Sequence, residues 1–198
     1  MVTKFRSDVY GETWMENDLV YKKYRVDFEN YNFTRELECL KLLNKYDVAA
    51  PLVSYDLKEK IIVMKYCGKS IEELNKIDLP DKEINKQLNN INKALDLCRI
   101  HHKNLHPYHI CYDERDKKLR MIDFGWSMIY TTDEEYEQKA KKKVSRLVNK
   151  LRTYLIDRKN YCRDGLFFSD RIQTITICGI ILVIIILFLL LFTLVTRK

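Results

Sequence analysis

The side chains with the most chemical reach crowd into residues 101–127, which read HHKNLHPYHICYDERDKKLRMIDFGWS. This stretch holds all four histidines of the 198-residue chain, His101, His102, His106 and His109, with Cys98 and Cys111 close by. Imidazole and thiolate together make zinc ligands. No C-x-x-C pair accompanies them, so the spacing builds no zinc knuckle and the metal reading is the weaker one. Asp123 ends an apolar run and precedes Phe124 and Gly125. A carboxylate so placed can ligate a metal ion, or it can fold onto nearby amides as a turn-former. Asn104 lies nineteen residues earlier in a polar loop. Its amide can donate and accept hydrogen bonds but has no useful basicity.

Positioning such groups needs a framework, and the patterning supplies one. Residues 8–26 predict two strands around a polar turn at Glu16, Asn17 and Asp18, with Leu19, Tyr21 and Lys23 alternating against Val20, Lys22 and Tyr24. In YNFTRELECLKLLNKY, Phe33, Leu37, Leu40 and Leu43 share a helical stripe, with Thr34 as the expected cap. Residues 48–53 carry Pro51; a turn at 56–60 and the apolar run IIVMKY then predict a hairpin closed by Gly68. A short helix is expected from residue 70. A long one follows Pro80 and Asp81, where Ile84, Leu88, Ile91, Leu95 and Cys98 keep helical period. Residues 110–112 and 119–122 read as short strands joined by DERDKK. Ala140, Val144, Leu147, Val148, Leu151, Tyr154 and Leu155 mark a last helical face, packed on the core, with lysines mostly opposite.

The length suits one domain of ordinary size, and the cysteines sit beside apolar neighbours like small hydrophobes of a reducing compartment. The opening MVTKFRSDVYGETW has neither apolar core nor cleavage site, so no signal peptide is expected. Residues 175–195, ITICGIILVIIILFLLLFTLV, carry no charge, and about 20 apolar helical residues cross a bilayer core. A transmembrane helix there, with only Thr196, Arg197 and Lys198 after it, predicts a tail anchor that leaves the main domain in the cytosol. The length and apolarity of the span favour endoplasmic-reticulum-type or derived membrane. Between Lys139 and Arg171 eleven Lys or Arg oppose three Asp, so residues 1–138 contribute −3 to a total of +7. Basicity therefore gathers beside the expected membrane, where Lys141, Lys142, Lys143 and Arg171 would meet anionic lipid. The domain itself lacks the cationic excess that nucleic acid would require.

Strands, one helix, more strands, an apolar strand ending at glycine, then helices with a polar hairpin: this order resembles the protein-kinase-like fold. The motifs resemble its small Rio-type and lipopolysaccharide-kinase-type families. HKNLHPYHI is similar to their HGDLHPGNI loop, and MIDFGWS to the strand end that delivers a metal-binding aspartate. IIVMKYCGKSIEEL is similar to the hinge between lobes, LVYKKY to the strand of the ATP-anchoring lysine, and RELECLKLL to the helix whose glutamate pairs with it. The resemblance implies an α+β fold with an N-lobe-like, β-rich part at 1–68 and a truncated helical C-lobe at 69–160. A basic juxtamembrane segment at 161–174 and the transmembrane helix at 175–195 complete the expected organisation. ATP and Mg²⁺ are the implied cofactors. Lys22 (Lys23 in reserve), Glu36, Met64, Tyr66 and Asp123 would meet the nucleotide, with the backbone of residues 65–68 on the adenine edge. Asp123 and His109 would face the metal, and Asn104 and His102 would occupy the catalytic loop. His102 also has a structural reading, bonded to backbone near the turn at Asp123.

Three departures bear on activity. Asn104 replaces the aspartate that accepts or orients the substrate hydroxyl proton. His109 replaces an asparagine ligand, whereas Mg²⁺ prefers oxygen. Gly11 is the only glycine before Gly68, so no glycine-rich loop can close over phosphates. The expectation is a membrane-anchored, kinase-like protein with impaired catalysis and residual nucleotide binding, without a firm cofactor. It would serve as a pseudokinase scaffold or regulator whose partners are the bilayer and a protein at its cytosolic face. One alternative is a divergent active kinase for a small molecule or bound protein, since too little chain follows Gly125 for a large substrate lobe. Another is a structural membrane protein recruited through its basic helix.

Overall fold

Period-two alternation in the first 65 residues produces an antiparallel sheet. A computed structural model of the chain describes residues 2–7, 10–25, 30–74 and 77–163. Strands β1 (Val2–Ser7), β2 (Gly11–Glu16), β3 (Leu19–Tyr24), β4 (Leu52–Asp56) and β5 (Ile61–Lys65) lie in the order β1-β2-β3-β5-β4. The β2–β3 hairpin turns on Asn17 and Asp18, at φ 50° and 61°. Two left-handed residues match the twist of the strands they join, and Asn and Asp tolerate that conformation well. The β4–β5 turn is held by the Asp56 carboxylate, which accepts the amides of Lys58 at 2.8 Å and Glu59 at 2.9 Å.

Helix α1 (Asn30–Leu43) enters between β3 and β4. Phe33, Leu37, Leu40 and Leu43 are buried as the stripe requires. Thr34 does not cap it: the helix begins at Asn30, and Thr34 sits exposed inside the helical run. A capping-type residue two positions into an apolar stripe marks a start only when the preceding residues cannot helix, and Tyr31 and Asn32 can.

Among the described residues the second half has two small sheets and three α-helices. Strand β6 (Lys69–Ser70) pairs with β8 (Ile110–Asp113), which pairs with β9 (Lys118–Met121); β7 (Ile100–His101) pairs with β10 (Met128–Ile129). In place of the short helix expected from residue 70, the described residues form β6 and a turn. There the Ile71 amide donates to the Ile110 carbonyl at 2.8 Å. Gly68 makes the approach possible: at φ +92° any Cβ would stand 2.0 Å from the Tyr112 carbonyl oxygen. Helix α2 (Asp81–Leu97) starts at Pro80 and buries Ile84, Leu88, Ile91 and Leu95. Gln87 shares that face, accepting the Leu119 amide at 2.8 Å and donating to the Lys117 carbonyl at 2.9 Å, so α2 grips the β8–β9 hairpin. Helix α3 (Asp133–Tyr136) is capped by Thr132, passes through a π turn at Glu137–Lys141 and continues as α4 (Lys142–Arg163). Ala140, Val144, Val148, Leu151 and Leu155 are buried, so this stripe packs on the body.

The chain divides into two compact units, Met1–Ile156 and Asp157–Lys198, and of the second only residues 157–163 are described. Among the described residues no helix is long and apolar enough to cross a membrane. The expected span at 175–195 and Arg171 lie outside the described residues, as do residues 164–174 of the expected juxtamembrane segment. Cys39, Cys67, Cys98 and Cys111 are free and buried.

Candidate functional site

Alternation along β3 puts Lys22 and Tyr24 on the same face. In α1, Glu36 falls within the stripe of Phe33, Leu37 and Leu40, so a carboxylate is aimed into the protein and is 0% exposed. A buried carboxylate without donors would be costly. Lys22 Nζ stands 2.6 Å from Glu36 Oε2, the Tyr24 hydroxyl donates to the same oxygen, and the ammonium lies 5.1 Å from the Tyr24 ring centroid. Lys22 Nζ also stands 2.6 Å from Asp123 Oδ1. Burial alone would lower the Lys22 pKa, but Glu36, Tyr24 and Asp123 overcome that and hold it well above its ordinary value. Burial, then Glu36, drive the Tyr24 hydroxyl up.

Asp123 follows β9 at φ 62°, a left-handed conformation that Asp adopts more readily than most residues. The backbone around it is fixed from several sides. The Ile122 amide donates to the His109 carbonyl at 2.9 Å, Ser127 N–H donates to Phe124 O at 2.9 Å, and Phe124 is fully buried. His102 Nε2 lies 3.0 Å from the Ile122 carbonyl oxygen and its ring is 4.8 Å from that of Phe124. Burial pulls the His102 pKa down to about 4, so at neutral pH it is an uncharged donor to that carbonyl. His109 Nε2 lies 3.2 Å from Asp123 Oδ2, and its Nδ1 is 2.5 Å from the backbone oxygen of Asn104. Burial would raise the Asp123 carboxyl; Lys22 and His109 more than reverse this and hold it far below the ordinary carboxylate range.

These groups open on a cleft of about 220 Å³, lined by Lys22, Asn104, His109 and Asp123 together with Asn32, Tyr108 and Trp126, and roofed by residues 10–13. Lys22, Glu36, Asp123, His109 and Asn104 therefore converge. Lys23, the reserve lysine, reaches the cleft edge but pairs with Glu59 at 3.0 Å. His102 lies beneath the cleft and braces the Asp123 turn. Met64 and Tyr66 are not among the residues lining it. The Tyr66 amide donates to Asp18 O at 2.9 Å, and the Tyr66 carbonyl accepts Arg115 Nη2 at 2.9 Å. Arg115 is held there by both Asp113 oxygens at 2.9 Å and by Asp18 Oδ2 at 2.9 Å. On α4 and the preceding π turn, Lys142 and Lys143 are exposed, while Lys141 pairs with Glu137.

Sequence reasoning missed Tyr24, Asn32, Tyr108, Trp126 and Arg115. Tyr24 could have been found, since a residue two after Lys22 in a strand shares its face. Arg115 gave no signal, because its partners are set by the fold rather than by spacing.

A five-stranded sheet with one inserted helix, a Lys–Glu–Asp cluster at its lower edge and a helical part beyond define a protein-kinase-like α+β fold with a β-rich N-lobe. The family model of the RIO domain matches residues 6–162, and the chain belongs to that family. Among solved structures it is similar to the kinase PK-1 of Cydia pomonella granulovirus. The two are 18% identical with a TM-score of 0.51, over 66% of this chain and 52% of that one, so this chain spans about half that kinase's length. At that identity the likeness concerns the fold.

Proposed function

We propose that this RIO-domain chain is a kinase-like protein with impaired phosphoryl transfer, acting at a membrane as a scaffold or regulator while keeping a site for a small ligand. One observation carries the reading: beside a converged Lys22, Glu36 and Asp123, the cleft is lined by Asn104 where the family motif has a carboxylate. A positioned general base contributes about 10²–10⁴-fold to rate, and an amide contributes none of that. The residues present also fit ATP with Mg²⁺ poorly. Both Asp123 oxygens are engaged, by Lys22 at 2.6 Å and His109 at 3.2 Å.

Membrane attachment is part of the proposal. It is supported by the uncharged run at 175–195 and by the basic balance of residues 139–171. The main domain would face the cytosol, with Lys141, Lys142, Lys143 and Arg171 near anionic lipid and a protein partner at that face. The preserved Lys22–Glu36–Asp123 set favours one second reading, a slow kinase for a small molecule or bound protein.

The test is phosphate transfer by the full chain in mild detergent, with ATP and either Mg²⁺ or Mn²⁺. No transfer above the protein-free rate is expected. Rapid transfer lost in Asp123→Ala overturns the proposal in favour of the second reading. Detergent-free membrane fractionation of full-length protein and of the triple variant of Lys141, Lys142 and Lys143 to Gln tests the lipid contact. Tight sedimentation of both would assign attachment to the terminal span rather than to the lysines.

A further inference from the structure

We infer that Arg115 is the catch of a charge-dependent latch, which holds the connecting segment at residues 65–68 between the first sheet and the β8–β9 hairpin and releases it when charges are screened. This device is independent of what the cleft binds and goes beyond the reading above.

The anchor is local to the hairpin. The Asp113 carboxylate accepts the Arg115 amide at 3.0 Å, Nε at 2.9 Å and Nη2 at 2.9 Å. A guanidinium is a rigid planar fork, so two bonds to one carboxylate fix where its remaining N–H groups point. The Asp113 side chain is only 9% exposed, and the anchor therefore stays with the hairpin.

The catch reaches other parts of the chain. Arg115 Nη1 donates to Asp18 Oδ2 at 2.9 Å, and Nη2 donates to the Tyr66 carbonyl at 2.9 Å. Asp18 belongs to the β2–β3 turn, and its own carbonyl accepts the Tyr66 amide at 2.9 Å. One side chain thus ties the first sheet, the connecting segment and the hairpin together. Next in the segment, Cys67 is buried, and Gly68 lies hard against the Tyr112 carbonyl. The catch itself faces solvent: the Arg115 and Asp18 side chains are 56% and 70% exposed. Ion pairs this exposed are weak and weaken further with salt.

Elsewhere the hairpin is held by bonds that salt barely reaches. The Ala50 amide donates to the Met121 carbonyl at 3.0 Å and the Met121 amide to the Val48 carbonyl at 2.9 Å. Beside them Arg120, 7% exposed, donates to Asp47 Oδ1 at 2.8 Å. At the cleft the partly buried Lys22–Asp123 pair makes another crossing. Loss of the catch therefore frees residues 65–68 without detaching the hairpin.

Cys67 serves as the gauge, because a buried thiol reacts only when its surroundings open. The experiment alkylates the full chain in mild detergent with uncharged iodoacetamide and follows each cysteine by peptide mass spectrometry, at low salt and in about 1 M NaCl, where the screening length is about 3 Å. In the wild type, salt should speed Cys67 alkylation by about fivefold, the upper end for one exposed ion pair. Asp18→Asn should give about that rise at low salt and respond little to more salt. Arg115→Ala should raise the rate more than about tenfold, since the charged bond to the Tyr66 carbonyl is lost as well. Cys39 and Cys98, buried away from the segment, should not respond. If Arg115→Ala does not fold, the wild-type salt series and Asp18→Asn still decide the question. A Cys67 rate indifferent to salt and to Asp18→Asn overturns the inference, and so does a rise shared equally by Cys39 and Cys98.

Discussion

Replacing Lys22 by methionine keeps the length and apolar body of the side chain and removes only the ammonium. Asp123 would retain His109, but Glu36, 0% exposed, would keep only the Tyr24 hydroxyl, and its Oε1 already has no partner among the described residues. Removing one member of a buried ion pair costs about 3–5 kcal/mol, whereas neutralising both members costs far less. At roughly 2–4 °C per kcal/mol for a unit of this size, Lys22→Met should lower Tm by about 6–20 °C. Adding Glu36→Gln should recover more than half, because an amide still accepts the Tyr24 hydroxyl and carries no charge. The readouts are thermal melting for Tm and urea unfolding for the free energy, both followed by tryptophan fluorescence. The chain has two tryptophans, Trp14 and Trp126, both within Met1–Ile156. A loss below about 1 kcal/mol, or a double variant no better than the single one, would refute the view that Lys22 is structurally required by a buried carboxylate.

Two further outcomes follow from the geometry. His102 titrates near 6.5 when unfolded but at about 4 when folded, so the unfolded chain binds the extra proton between those values. Stability is then full above pH 6.5 and falls as pH drops from 6.5 to 4, by about 3 kcal/mol in all; His102→Gln should flatten that part of the urea midpoint against pH. Gly68→Ala forces a side chain into φ +92° with its Cβ 2.0 Å from Tyr112 O, and should cost more than the roughly 1–3 kcal/mol of the backbone conformation alone, measured by the same titration.

Much of the framework was legible because it obeys the two simple periods. The β2–β3 hairpin, the α1 and α2 stripes and the face packed by α4 all follow from where apolar residues recur. Lys22 in preference to Lys23, and Glu36, came from the family resemblance alone; the structure adds that Lys22 shares a strand face with the buried Tyr24 and that Glu36 is the buried carboxylate of the α1 stripe. The two-residue strands β6, β7 and β10 are too short to show any period, and the first of them falls where the sequence predicts the start of a helix. Contacts across long separations were equally silent. Nothing in the spacing of Asp123 shows that both its oxygens are engaged, or that Arg115 reaches the Tyr66 carbonyl from the β8–β9 hairpin. Trp126 and Tyr108 line one cleft only because the fold brings the turn after β9 beside the loop before β8.

The sharpest discrimination comes from comparing initial ATP turnover by the wild-type full chain with that of Asn104→Asp, in Mg²⁺ and in Mn²⁺. A cleft that lacks a proton acceptor, one metal ligand and a glycine-rich loop together predicts background turnover for the native chain and for Asn104→Asp alike. Native turnover well above background, or a marked rise in Asn104→Asp, would contradict it and favour the slow kinase.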